Sequence, residues 1–347
     1  MQSVKNNNET LAKKFVRQWK NNPLFSTGCV LVLMIILQTV ALGFDFNSVG
    51  EWFNSWYRNW INILRNNAGV GIVALGMTFV IISGGIDLAC GSTVAAIGAV
   101  VMVFINEHPT GLLASIGIRG IPAYAIGIAM GLLMGILIGG INGTLIAKSK
   151  LPAFIATLGM MKICRSVTQQ CMQGVGISVP YEFQAITNTK LFGLYLLPII
   201  YWAVAAYVLH VISKRTTFGR YVYAVGSNER TTRLSGINVE RVKMKVYVLM
   251  GVLVSITTVM QIARIGSMDY ASAGSGYEMD AIAAVVVGGT SMSGGKGSVV
   301  GTVLGMLIIA VMNNLLNLMG VPVFLREAFK GFIVIVAVLL QKKEAAN

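Results

Sequence analysis

Apolar runs approaching the thickness of a bilayer recur along the whole of this 347-residue chain. Ten can be marked, at residues 27–43, 68–83, 88–105, 121–146, 152–167, 191–212, 245–262, 280–292, 298–318 and 328–340. A helix needs about 20 predominantly apolar residues to cross the hydrocarbon, and several runs come near that length. Run 280–292 is short and reads as a half-helix or a re-entrant segment. Charged residues make up 12% of the chain and hydrophobic ones 55%, whereas soluble domains carry about 25% charged residues. No single soluble globule could hide that much apolar surface. The expectation is an all-α polytopic membrane protein of about ten transmembrane helices, with glycine-interrupted segments.

The net charge of +14 raises nucleic acid as a partner, and its distribution argues for lipid instead. Lys and Arg gather at Lys5, Lys13, Lys14, Arg17 and Lys20, between Lys214 and Lys245, and at Lys342 and Lys343. These clusters flank apolar runs, as the cytoplasmic excess of basic residues in membrane proteins predicts. There is no soluble basic module, so no nucleic acid is expected. Alternating the spans places both termini and most basic residues in the cytoplasm. A single transmembrane domain over 1–347 follows, with a cytoplasmic tail at 1–26 and a cytoplasmic loop at 213–244. The first run ends in Ala41-Leu42-Gly43, which resembles a signal-peptide cleavage site; the many later spans make an uncleaved helix the expectation. Between the first two runs, Trp52, Trp56 and Trp60 stand four apart, which reads as an interfacial helix with an aromatic belt.

The stretch "VIISGGIDLACGSTVAA" (80–96) puts one carboxylate, Asp87, inside more than thirty otherwise uncharged residues. A charge at membrane depth costs about 2.5–3.5 kcal/mol on insertion scales. Gly84, Gly85 and Gly91 break the helix around it and leave backbone N–H groups free to satisfy it. Asp87 therefore reads first as the pin of a tight interruption and second as a substrate contact. "GGIDLACG" (84–91) has a counterpart in "GGTSMSGG" (288–295), which sets Gly288, Gly289 and Gly295 on Gly84, Gly85 and Gly91, and Ser291 on Asp87. Corresponding glycine-interrupted segments in two halves of a transporter point to its pathway. Span counting puts both turns on one side, which fits a re-entrant segment or a repeat that is not inverted. Asn142, Thr157, Gln261, Asn313, Asn314 and Asn317 are further polar residues within runs. They would either line a path for a sugar-sized solute or lock helices together. Gly127, Gly131, Gly135, Gly139 and Gly143 recur every four residues, and Gly297, Gly301 and Gly305 repeat the pattern. Each step of four advances about 400°, so these are smooth stripes that let another helix approach closely.

Several chemistries are absent. "TSMSGGKGS" (290–298) imitates a phosphate-binding loop, but GxxxxGK[ST] needs glycine where Thr290 stands and Ser or Thr where Gly297 stands. His108 and His210 stand in no catalytic pattern. Glu278 and Asp280 read as acids of a loop facing water. Cys29, Cys90, Cys164 and Cys171 form no CxxC pair, so they read as small buried side chains rather than metal ligands. No catalytic residue, cofactor, metal or nucleotide site is expected in this chain.

The polar loop "KRTTFGRYVYAVGSNERTTRLSGINVERVK" (214–243) is longer than a connection requires. Ser227 or Asn228 can cap a short helix there and Gly236 can end it, which suggests docking to a separate soluble partner. At this point four stretches form a recognisable set: "ALGMTFVIISGGIDLACGS" (74–92), "INGTLIAKSKLPAFIATLGM" (141–160), "TTFGRYVYAVGSNERTTRLSGINV" (216–239) and "GSGYEMDAIAAVVVGGTSMSGGKGSVVGTVLG" (274–305). The chain resembles the membrane permeases of bacterial ABC importers for monosaccharides, the ribose/galactose/xylose class, from about residue 62 to 340. Thr231 and Thr232 depart from the small residues that family tends to have, and Cys90 from its commoner Val or Ala.

The resemblance implies a vitamin B12-importer-like, type II ABC permease in the bacterial plasma membrane, working as a dimer with a second copy or a paralogue. It also implies a cytoplasmic ATPase, which uses the ATP, docked at Gly226, Asn228, Glu229, Arg233, Leu234 and Gly236. An extracytoplasmic sugar-binding protein would deliver the substrate. The alternative is an autonomous secondary carrier or channel for a small polar solute.

Overall fold

A computed structural model describes residues 23–43, 48–109, 111–172, 179–269 and 271–346. The basic cluster before residue 23 lies outside these. The described chain is helical: α1 (Pro23–Ala41), α2 (Val49–Ile82), α3 (Cys90–Ile105), α4 (Ile121–Ala147), α5 (Ala153–Met172), α6 (Tyr181–Asn188), α7 (Leu197–Arg215), α8 (Thr217–Ser227), α9 (Glu229–Leu234), α10 (Val239–Ile265), α11 (Tyr277–Val287), α12 (Val299–Leu318) and α13 (Val323–Ala346).

Among the described residues six helices, α1, α2, α4, α7, α10 and α12, are long and apolar enough to cross a membrane. Lys162, Arg165, Gln169 and Gln170 make α5 too polar to join them. The apolar α3 has 16 residues and α11 has 11. At 1.5 Å per residue they rise about 24 and 16 Å, short of the ~30 Å of hydrocarbon. Run 280–292 is thus a half-length helix, as its length predicted.

Side-chain caps set several boundaries. The hydroxyls of Ser48, Thr216 and Ser298 and the amide oxygens of Asn228 and Asn238 accept first-turn N–H bonds of the helices they precede. The Trp-bearing segment and run 68–83 prove to be one 34-residue helix. Nothing between Trp60 and Ala68 is a helix breaker, so no boundary forms there. Two of its indoles bond to the first helix and the turn after it: Trp52 Nε1 donates to the Gly43 carbonyl at 3.0 Å and Trp56 Nε1 to Thr39 Oγ1 at 3.1 Å. Run 191–212 also shifts. Its first residues form a turn with Gly193 at φ +78°, and the helix begins only at Leu197.

The second half of α2 is the axis of the molecule. Every residue from Val70 to Ile82 is buried, and α7, α10, α11 and α12 pack around it. The α4 stripe has two jobs. Gly127 and Gly131 face Phe104, Ile105, Val101 and Ile97 of α3, whereas Gly135, Gly139 and Gly143 lie on the backbone of α10 at Gly251, Tyr247 and Met244. As numbers rise on α4 they fall on α10, so the two are antiparallel. Likewise Gly301 and Gly305 of α12 lie on the backbone of Gly288 and Ala284.

These contacts yield a paired test. A methyl group at Gly139 would overlap the Tyr247 carbonyl, whereas one at the adjacent Gly140 meets only Val248 Cγ2 at 4.0 Å. Gly139→Ala is expected to destabilise the detergent-purified protein by about 1–3 kcal/mol. Gly140→Ala should be neutral or better, with thermal unfolding as the measure.

Candidate functional site

Two helix ends share one geometry. At the end of α2, Gly84 N donates to Ile81 O and Gly85 N to Val80 O, both at 2.9 Å. At the end of α11, Gly289 N donates to Val286 O at 2.9 Å and Thr290 N to Val285 O at 3.1 Å. Each is a Schellman cap closed by a left-handed glycine, Gly84 at φ +79° and Gly289 at φ +85°. The structure therefore matches Gly84 to Gly289, one residue out of the register in which the sequences coincide. Ser291 is not the positional counterpart of Asp87. Hydrogen-bond closure fixes where the left-handed residue falls, and identity of letters does not.

Beyond the caps the paths separate. Residues 291–298 fold into a compact turn, with Ser291 N donating to Lys296 O at 3.0 Å, and α12 starts at the same end of the bundle. The other path re-enters. Tyr247 Oη donates to the Ile86 carbonyl at 3.1 Å, and α3 begins at Cys90, alongside α10. Thr258 Oγ1, three turns further along α10, lies 3.4 Å from the Val94 carbonyl. Asp87 is 6% exposed, and its Oδ1 accepts from Ala89 N at 2.8 Å. That is a local turn contact, two residues along the chain, within the interruption that precedes α3. Gly91, in the first turn of α3, packs on Gly274 and on the Glu278 carboxylate.

The re-entrant segment before α11 meets α3 here. A cavity of about 270 Å³ beside this crossing is lined by Thr258, Gln261, Asp269, Ser272, Ser275 and Tyr277, among others. Glu278 and Asp280 were expected in a water-facing loop. Both instead lie half-buried on the first turn of α11, Glu278 against Gly91 and Asp280 against Lys330. Two acids ahead of an apolar run look the same in either setting, and only the fold separates them.

At the bundle end, three remote segments converge. Gly295 N donates to the Ile82 carbonyl at 2.9 Å. Gly226, near the end of α8, lies on both, so a methyl group there would overlap the Ile82 oxygen and come within 2.7 Å of Gly295 N. Tyr223, also on α8, donates to Gly297 O at 2.9 Å and lies 3.1 Å from Ser213 Oγ. Neither tyrosine stood out in the sequence, since aromatics in apolar runs usually only pack.

The α9 segment is clamped to α10. Asn228 Oδ1 accepts from Thr231 N at 2.9 Å, which settles the capping residue. Lys243 donates to Glu229 at 2.6 Å, and Arg233 pairs with Glu229 and Glu240. Gly236 takes φ +80°, and Leu234 is 81% exposed at the tip. The hydrogen bond from Lys243, followed by Arg233, holds the Glu229 carboxyl below its usual range against a smaller opposing effect of burial. A depressed folded pKa stabilises above the unfolded value of about 4.3 and is lost as pH falls through the folded one. The clamp is thus constant across neutral pH.

The remaining polar residues do not join these groups. Thr157 is spent on the Ala153 carbonyl at 2.8 Å. Asn314 exchanges amide hydrogen bonds with Asn59 of α2 at 3.1 Å, a helix lock. Asn142 is buried with its Oδ1 unbonded, as is that of Asn313.

A helical membrane protein with two broken paths, both held by a capped polar connection, is the class these features define. Residues 59–338 match the family described as branched-chain amino acid transport system / permease component, and the chain belongs to that family. It is 38% identical to the ribose import permease protein RbsC of Escherichia coli K12, over 91% of this chain and 92% of that protein. Identity to RbsC of Bacillus subtilis 168 is 42%, covering 83% and 86%. Against the xylose transport system permease protein XylH of Escherichia coli K12 it is 35%, covering 89% and 90%. No solved structure matches the chain.

Gly226→Ala and Gly236→Ala should differ. The first puts a methyl group into backbone; the second has open space around it and costs about 1–2 kcal/mol for the left-handed conformation. Gly226→Ala is expected to melt lower and to lose hydrogen-exchange protection at the Gly295 amide, while Gly236→Ala keeps that protection.

Proposed function

We propose that this chain is the transmembrane subunit of an ATP-driven importer and forms the path of a monosaccharide. An extracytoplasmic binding protein delivers the sugar, a separate cytoplasmic ATPase supplies the energy, and a second copy or paralogue completes the pathway. The observation that carries the reading is the contact of Gly226 with both Ile82 and Gly295. It joins the connection best suited to dock a partner to the two helix breaks best suited to gate a path. The ribose and xylose permeases among the relatives support the substrate class.

In this reading the chain lies in the bacterial plasma membrane with both termini cytoplasmic. The six long apolar helices cross singly, α5 and α13 cross with them although α5 is the more polar, and α3 and α11 complete two further crossings with their re-entrant lead-in segments. The ten crossings accord with a type II permease. The chain itself holds no cofactor, and ATP binds the partner alone. The ATPase docks on α8 and α9, with Leu234 as an exposed apolar anchor and Asn228, Glu229, Arg233 and Gly236 fixing the shape. A displacement of α8 moves the caps at Gly84–Gly85 and Gly288–Gly289, and with them α3 and α11. A partner that binds one arrangement better shifts the population toward it. Asp87, Gly91, Ser291, Asn142, Thr157, Asn313 and Asn314 then divide into path and support, with Asp87 on the side of support.

Reconstitution with the ATPase and binding protein is expected to give ATP-dependent uptake of D-ribose or D-xylose. Uptake by the permease alone, along a proton or sodium gradient, would overturn the reading. In the same assay Arg233→Glu should leave folding intact and lower uptake per ATP hydrolysed at least about tenfold, since it breaks two ion pairs and sets three acids together. Asp87→Asn keeps the acceptor for Ala89 N and should retain near-normal uptake, whereas Asp87→Leu should not.

A further inference from the structure

Helix α13 is attached to the molecule in an unusual way. Several of its apolar side chains point outward, Val323, Phe324, Phe332, Ile335 and Leu339 each being at least 60% exposed, while Ile333 and Val338 pack half-buried against the core. Among its described residues the buried side chain is Lys330, at 7% exposure. The Lys330 ammonium lies 2.9 Å from Asp280 Oδ1 and 2.7 Å from Glu327 Oε1. Asp280 is on the first turn of α11, and α13 packs mainly on that half-helix.

A buried ion pair is weak glue, because desolvation offsets most of its attraction. An ionisable residue within a membrane bundle marks a functional position more often than a stabilising one. The position here is specific. Residues two apart on a helix lie about 200° apart, so Asp280 and Glu278 leave α11 on opposite sides. One meets Lys330 of α13 and the other packs on Gly91 of α3. Holding Asp280 therefore fixes the rotation of the half-helix and the placement of the Glu278 carboxylate at the crossing. The capping glycine of α11, Gly276, is also near Glu327, 3.8 Å from its carboxylate to an added methyl position.

We propose that Lys330 is a positioning residue for transport, an ionic latch from the last helix that sets the rotation of the re-entrant half-helix. The inference rests on the proposed function for its transport readout and on geometry alone for its structural one.

The test compares Lys330→Met, Lys330→Arg and the neutral pair Asp280→Asn/Lys330→Met in the full chain. In the reconstituted complex, Lys330→Met should lower D-ribose or D-xylose uptake at least tenfold without loss of ATPase binding, and Lys330→Arg should restore most of it. The neutral pair should recover the melting temperature without recovering uptake. Wild-type uptake by the neutral pair would reduce the latch to packing and overturn the proposal. Hydrogen exchange of the detergent-purified permease supplies an arm that needs no substrate. Lys330→Met should speed exchange across 277–287 several-fold, with Lys330→Arg and the α4–α10 peptides unchanged. Unchanged exchange across 277–287 overturns the latch whatever the chain transports, and absent wild-type uptake with faster exchange overturns the transport reading alone.

Discussion

The carbonyl of Ile82 ends the central helix and accepts a hydrogen bond from Gly295 N at 2.9 Å. Main-chain groups freed at a helix end away from water need a partner within the protein. Here the partner comes from a turn more than two hundred residues away, and a third segment, at Gly226, closes over both. No side chain fits between these three pieces of backbone. The glycines at 226, 294 and 295 are the condition for α2 to end where it does, and the starts of α3 and α12 depend on that ending. The end of α8 and the two breaks are in this sense one structural unit.

How much of this was legible in the sequence depended on the range of the interaction. The half-helix was visible because length against bilayer thickness is a local test. Asn228 and Gly236 were visible because caps act within one turn. The stripe of α4 could be assigned to packing, though its division between α3 and α10 could not, since a smooth face does not name its neighbour. Matched glycine pairs flagged two breaks of the same kind, but letter identity slid the pairing by one. The slip shows only in the bonds of Gly84 and Gly289 to the turns before them.

Contacts between segments far apart in the chain were not legible in the sequence. Glu278 and Asp280 resembled loop acids until Gly91 and Lys330 appeared beside them. The Trp stripe read as an interfacial helix, and the sequence did not show that Gly43 and Thr39 accept the indole N–H groups of Trp52 and Trp56. Asn314 could line a path or lock two helices, and only the fold names Asn59 as the residue that pairs with it. In each case a polar or amphipathic side chain had a tertiary partner that the local sequence could not name, since hydrocarbon leaves such groups nowhere else to bond.

The contact between α4 and α10 has a consequence for how such a chain can change. A methyl group at Gly139 would meet backbone atoms of Tyr247 and Val248, and one at Gly251 would meet backbone atoms of Gly135 and Gly139. When side chains interdigitate, growth on one helix can be offset by trimming on the other. Between main chains there is nothing to trim. The separation of these two axes is therefore set by the polypeptide itself and insulated from side-chain drift elsewhere in the bundle. Substrate preference can be rewritten around this pair without altering the spacing of the frame that carries it.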